Sequence, residues 1–241
     1  MFKQLQIKKA LLNLSLGLGL VLIVGLFQIP VRAQITLATV QEIIDGDRVF
    51  IEQTLAKVND TADFQQTIAT EDARASLLFD DSAVGRMGPN TTLVVGQCIE
   101  LKEGLLLASG PANGCTTTFE VGVQGTTYAM AVDEEGNANV KVLEGEVQLK
   151  PMDGQNAIAL SQGEQIDISP QGIFSTILDI SQGEIETLLQ GALFDGFQVA
   201  LPQAGKLQQA LRELYPTLDL PNLPGFNVPS LPIPRPRGFP F

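Results

Sequence analysis

Two cysteines, Cys98 and Cys115, stand 17 positions apart and are the chain's only sulfur nucleophiles. No histidine occurs anywhere. A Ser-His-Asp or Cys-His nucleophile pair therefore cannot be assembled, nor a histidine-ligated zinc. Two thiols without partners make a poor metal site, which leaves a disulfide or a pair of free thiols. Carboxylates are the other reactive class, because paired acids cleave glycosides without histidine. Glu100, Glu103, Glu144, Glu146 and Glu164 sit on or beside alternating apolar segments. No spacing among them fixes a catalytic pair. Asp133, Glu135, Asn137 and Asn139 alternate in a manner loosely like an oxygen-rich calcium loop, but the closing bidentate glutamate is missing. A polar hairpin loop explains the same residues. No glycine-rich phosphate loop is present. The residues predict no enzyme, no cofactor and no metal.

The elements that carry these residues read as strands. Ile99–Leu106, Val140–Leu149 and Ile158–Ile168 each show alternation, then a glycine, then alternation again, with Gly104, Gly145 and Gly163 at the break. Alternation with period two buries one face of a strand. A glycine between two such runs permits a turn or bulge. Further strands are expected at Ala75–Phe79, Ala83–Met87, Thr91–Val95, Phe119–Val123 and Thr126–Val132. Asp45-Gly46, between two apolar runs, predicts a hairpin. Strand spacing of this kind indicates an all-β fold, a sandwich, a barrel or a β-solenoid.

Past Pro170 the period changes. Ser181-Gln-Gly-Glu184 reads as a capping box before Ile185, Leu188 and Leu189. Leu207, Leu211 and Leu214 repeat at helical spacing. Residues 171–215 are thus expected to form two short helices. Residues 216–241 contain eight of the 14 prolines, with Arg235 and Arg237 against the single Asp219. This composition predicts a disordered proline-rich tail.

Residues 1–33 carry Lys3, Lys8 and Lys9, an apolar stretch from Ala10 to Phe27, and Val31-Arg32-Ala33. That is the layout of a secretory signal peptide cleaved after Ala33. An uncleaved anchor is the competing reading, and membrane contact would then run only through this leader. An exported chain meets an oxidising compartment, which favours a Cys98–Cys115 disulfide. Residues 34–241 have 11 basic and 27 acidic residues, a net charge of −16. Such a balance disfavours nucleic acid and anionic lipid as partners.

Ala73–Thr91, with Arg86 and Asn90, resembles the FecR-type domain of an iron-dicitrate signalling regulator. The likeness continues through Gly125-Thr126-Thr127-Tyr128, Glu144-Gly145-Glu-Val147 and Gly163. It covers residues 36–170, and the motifs are weak singly but specific in their order. The resemblance implies an extracytoplasmic all-β domain over residues 34–170, an antiparallel sandwich or a twisted β-solenoid. Only nine residues precede the apolar leader, so the family's cytoplasmic sigma-factor-binding part is not expected. These readings together predict an exported, non-enzymatic module, periplasmic, envelope-bound or extracellular. Its partner would be an envelope protein or polysaccharide, with Arg86 and the exposed loops as contact candidates. The alternative is a structural or anchoring component of the wall or matrix.

Overall fold

The computed structural model describes residues 35–226 except 81 and 155. The leader and residues 227–241 lie outside the described residues. The strands are β1 (Leu37–Ile44), β2 (Val49–Ile51), β3 (Thr54–Leu55), β4 (Thr61–Asp63), β5 (Thr67–Thr70), β6 (Arg74–Phe79), β7 (Ala83–Met87), β8 (Thr92–Val95) and β9 (Ile99–Gly110). They continue as β10 (Gly114–Cys115), β11 (Phe119–Val123), β12 (Thr126–Val132), β13 (Ala138–Glu144), β14 (Glu146–Pro151), β15 (Ile158–Ser161), β16 (Glu164–Ile168) and β17 (Leu178–Asp179). Two helices follow among the described residues, α1 (Gln182–Leu189) and α2 (Ala204–Leu214).

The fold is all-β, as the alternation predicts. Sheet I runs β4-β1-β6-β7-β9-β12-β13-β16-β17. Sheet II runs β3-β2-β5-β8-β9-β10-β11-β14-β15. Every pairing is antiparallel except β9 with β10. Strand β9 belongs to both sheets. Its first half pairs with β8, and from Gly104 onward it pairs with β12. Inward-facing residues of the two sheets, such as Leu77, Phe79, Leu101, Phe119, Tyr128, Val140 and Leu149, form the main core.

The chain passes repeatedly between the sheets, and the glycine repeat marks three of those passages. Gly104 lies where β9 changes sheet, Gly145 between β13 and β14, and Gly163 between β15 and β16. Their φ angles are +95°, +86° and +85°. At Gly104 a Cβ would sit 2.6 Å from the Asn90 carbonyl oxygen. At Gly145 it would sit 2.7 Å from Thr126 Cγ2. Only glycine combines that backbone conformation with that proximity. Asn59 and Asn90 occupy the left-handed region at two other crossings, as asparagine tolerates.

One turn differs from its expectation. Asp45-Gly46 is a corner and not a hairpin: β1 pairs with β4 and β6, whereas β2 pairs with β3 and β5. Turn chemistry specifies a reversal of local direction, but the partner of the next strand is chosen by the core. True hairpins do join β6 to β7 and β12 to β13.

Residues 180–226 form a third layer on the outer face of sheet I. Val84, Leu107, Ala129 and Leu143 of that face meet Ile185, Leu189, Leu193, Phe194, Leu207 and Leu211 of the extension. Both helices form where the sequence places them. Ser181 caps α1 in a full capping box with Glu184. The expectation of a disordered tail over residues 216–241 fails for its first part. Leu218, Leu220, Leu223 and Phe226 pack against the second core, because leucines spaced along a proline-rich stretch still bury apolar area.

Candidate interaction site

Sheet I carries one row of outward-facing residues that crosses seven strands. Glu42 opposes Ser76, Ser76 opposes Arg86, Arg86 opposes Leu107, and Leu107 opposes Ala129. Ala129 opposes Lys141, and Lys141 opposes Gln165. The middle of the row is apolar and the ends are polar. Both ends grip the extension.

At one end, Arg86 is 1% exposed. Its guanidinium donates to the carbonyls of Leu193 (3.1 Å) and Val199 (2.8 Å). It also lies 4.7 Å from the centre of the Phe197 ring, a cation–π geometry. Glu42 accepts the amides of Gln198 (2.8 Å) and Val199 (2.9 Å). Arg74 adds donations to Ala192 O (2.8 Å) and Asp195 O (2.7 Å), and pairs with Asp45. Three charged side chains therefore hold segment 192–199 through its backbone. Burial lowers the Arg86 guanidinium to about 10, opposed by Glu42 and aided by Arg74, so it remains a cation at neutral pH.

At the other end, Gln165 donates to Glu184 Oε1 (2.9 Å), and Lys141 bridges Gln165 and Glu184 (3.2 Å to the latter). Gln165 and the Ser181 cap hold the Glu184 carboxyl down at about 2. A polar notch lies under the start of α2. Ser109 and Thr127 share a hydrogen bond (3.0 Å), and Gln203 N donates to Ser109 Oγ (3.4 Å). Glu144 opposes Thr127 here. It is buried, its Oε2 has no hydrogen-bond partner among the described residues, and desolvation raises its pKa against the pull of Lys206.

The held segment forms one wall of an open cleft of about 890 Å³. The end of α1 at Leu189 and Gln190, residues 194–198, and residues 221–226 line it. Asp195, Gly196, Gln198 and Asn222 are exposed along it, over a floor of buried Phe194 and Phe197. With Phe194 and Phe197 buried beneath it, the cleft presents mainly polar groups to a ligand, an arrangement that suits an extended polar segment.

The family-motif residues are dispersed over the fold. Arg86 is in the row, under the extension, so it is not a surface contact. Asn90, Gly125, Gly145 and Gly163 are corners with positive φ. Thr126 packs over Gly145. Tyr128 is in the main core on the opposite face from Arg86, donating to Ala112 O (3.1 Å), and burial raises its pKa. Cys98 and Cys115 are disulfide-bonded with Cα atoms 5.8 Å apart, tying the start of β9 to β10. Among the acids, Glu100 pairs with Lys102, and Glu164 accepts the Ser161 amide (2.7 Å). Asp133 accepts from Asn137 within its own hairpin loop. Sequence reasoning missed Glu42 and Arg74. Their only signal was a charge within a largely apolar strand, Arg74 ahead of Leu77-Leu78 in β6 for instance.

No family model matches the chain, and no curated protein matches it either. The resemblance to FecR-type domains thus rests on the motif series. Two solved structures match part of the chain. Both are crystal structures of a protein assigned as an anti-sigma factor from Parabacteroides distasonis ATCC 8503, at 1.65 Å and 2.50 Å resolution. Each is 16% identical, with a TM-score of 0.45 over 52% of this chain. The match spans 65% and 64% of those chains, just under two thirds of their length.

Proposed function

We propose that the chain is an exported, non-enzymatic FecR-type module that binds a partner in the cell envelope through the cleft beside segment 192–199. The observation that carries this reading is the investment in that segment. Arg74, Arg86 and Glu42, three charged groups on the sheet, are spent on holding its backbone. Desolvating such charges is costly and adds little net stability compared with apolar packing. Fixing one wall of an open cleft is what they accomplish. Export is supported by the leader pattern of residues 1–33 and agrees with the disulfide.

The test uses immobilised residues 34–241 incubated with envelope extract. The unaltered protein is expected to retain a protein or polysaccharide above a scrambled-surface control. The rim variant Asp195→Arg/Asn222→Arg is expected to lose it with no change in thermal midpoint. Equal retention by both, or none by either, overturns the proposal.

A further inference from the structure

The chain leaves the cleft at its lip, and it leaves by turning back. Phe226 N donates to Leu223 O at 3.0 Å. Pro224 occupies the second position of this turn and Gly225 the third, with φ +84°. Proline followed by a positive-φ glycine is the type II pattern, and such a turn reverses the chain. Residues 221–223 are cleft wall. The turn therefore reverses the chain direction at Phe226, beside the wall that residues 221–223 build.

The 15 residues that come next, 227–241, hold five prolines, Arg235 and Arg237, and no acid. Residues 34–226 hold nine basic and 27 acidic residues, a net charge of −18. Asp195 stands exposed at the cleft. A proline-rich segment favours polyproline II, which costs little further entropy to fix, and the half-buried Leu223 and Phe226 of the cleft wall offer it apolar contact. Five residues in that form span about 16 Å. Attachment one residue from the site gives an effective concentration in the millimolar range, so an intrinsic dissociation constant of about 1 mM leaves the site about half filled.

We propose that residues 227–241 seat in this cleft in cis and so compete with the envelope partner for it. The competition rests on the cleft being the partner site; the seat itself does not. Release of the segment, by a partner that binds it or by a cut beyond Phe226, then raises the affinity of the cleft.

The test titrates a synthetic peptide of residues 227–241 into residues 34–226 and into residues 34–241, read by amide chemical shifts. Both cores lie within residues 35–226, so the shorter chain keeps its fold. The peptide is expected to shift Gly196, Gln198 and Asn222 of the shorter chain and to bind the longer chain about twofold more weakly. A peptide with Arg235→Glu and Arg237→Glu is expected to bind less tightly at low salt. No shift at those residues, or equal affinity for both chains, overturns the proposal. Cleft shifts in residues 34–241 that vanish on dilution, with a dimer by sedimentation, also overturn it and assign the seat to a second copy. Envelope retention is measured in parallel on residues 34–226. Retention without peptide binding sinks the cis seat and leaves the partner reading. Peptide binding without retention sinks the partner reading and the competition, and leaves the seat.

Discussion

Arg86 shows what a single buried charge does in this protein. Its guanidinium reaches two carbonyls six positions apart and a ring face between them. Arg86→Met removes the donor and leaves Leu193 O and Val199 O without it. The expected cost is about 3 kcal/mol by urea unfolding, with faster hydrogen exchange confined to segment 192–199. Arg86→Lys recovers little, since a compact ammonium cannot replace a planar fork. Glu144 makes a pH prediction. Its folded pKa is raised above the ordinary 4.5 by burial, against Lys206 and the Thr127 amide. The fold thus holds this proton more tightly than the unfolded chain does. Its stabilising contribution is complete below pH 4.5 and is lost as pH rises through the folded value. Glu144→Gln should therefore gain stability relative to the parent at pH 7 and lose that gain at pH 4, by thermal midpoints.

Among the elements, β9 carries the sharpest constraint, because it changes sheet in mid-strand. Gly104→Ala meets both a φ of +95° and backbone atoms at 2.6 Å. A loss of about 3 kcal/mol or more is expected. Gly154→Ala, at φ +84° but with nothing within 4 Å, should cost about 1 kcal/mol. A chemical-denaturation pair checks both. Helix α1 depends on its cap. Glu184→Ala removes the capping-box carboxylate and should cost about 1 kcal/mol at neutral pH. The Glu184 pKa is depressed to about 2, so its contribution is present above 4.5 and is lost as pH falls toward 2. The difference between parent and variant should shrink across that window.

Strands, capping box and corner glycines were legible in the sequence because each is a local pattern. What joins them was not. Asp45-Gly46 has hairpin chemistry, yet its two flanking strands go to different sheets. The Glu42-to-Gln165 row takes one residue from each of seven strands, so no window of sequence contains it. Arg86 could be found as a motif residue, but its burial depends on residues more than a hundred positions later. Pro216–Phe226 was misread because composition weighs prolines, whereas Leu218, Leu220 and Leu223 supply apolar area regardless of backbone type.

At the scale of the whole molecule, the centre of sheet I is covered on both broad faces, by sheet II and by the extension. Buried side chains such as Ile185, Leu189, Phe194, Phe197 and Leu207 each contribute about 1.5–3 kcal/mol where they cover it. The extension is thus a structural layer, and the β sandwich without it is incomplete. A chain ending at Pro170 exposes Val84, Leu107, Ala129 and Leu143 together with Arg74 and Arg86. It should form oligomers by light scattering and bind an apolar dye, whereas a chain ending at Phe226 should remain monomeric.

The same layering dictates an order of events during synthesis. Ribosomes deliver a chain from its N-terminus, so both sheets are available before any residue that roofs sheet I has been made. For the time needed to add the last quarter of the chain, a finished sandwich carries a sticky, charged flank. Val84, Leu107, Ala129 and Leu143 gain their cover only when residues 180–226 arrive, so the sandwich is completed last from the outside, after nearly the whole chain has been delivered.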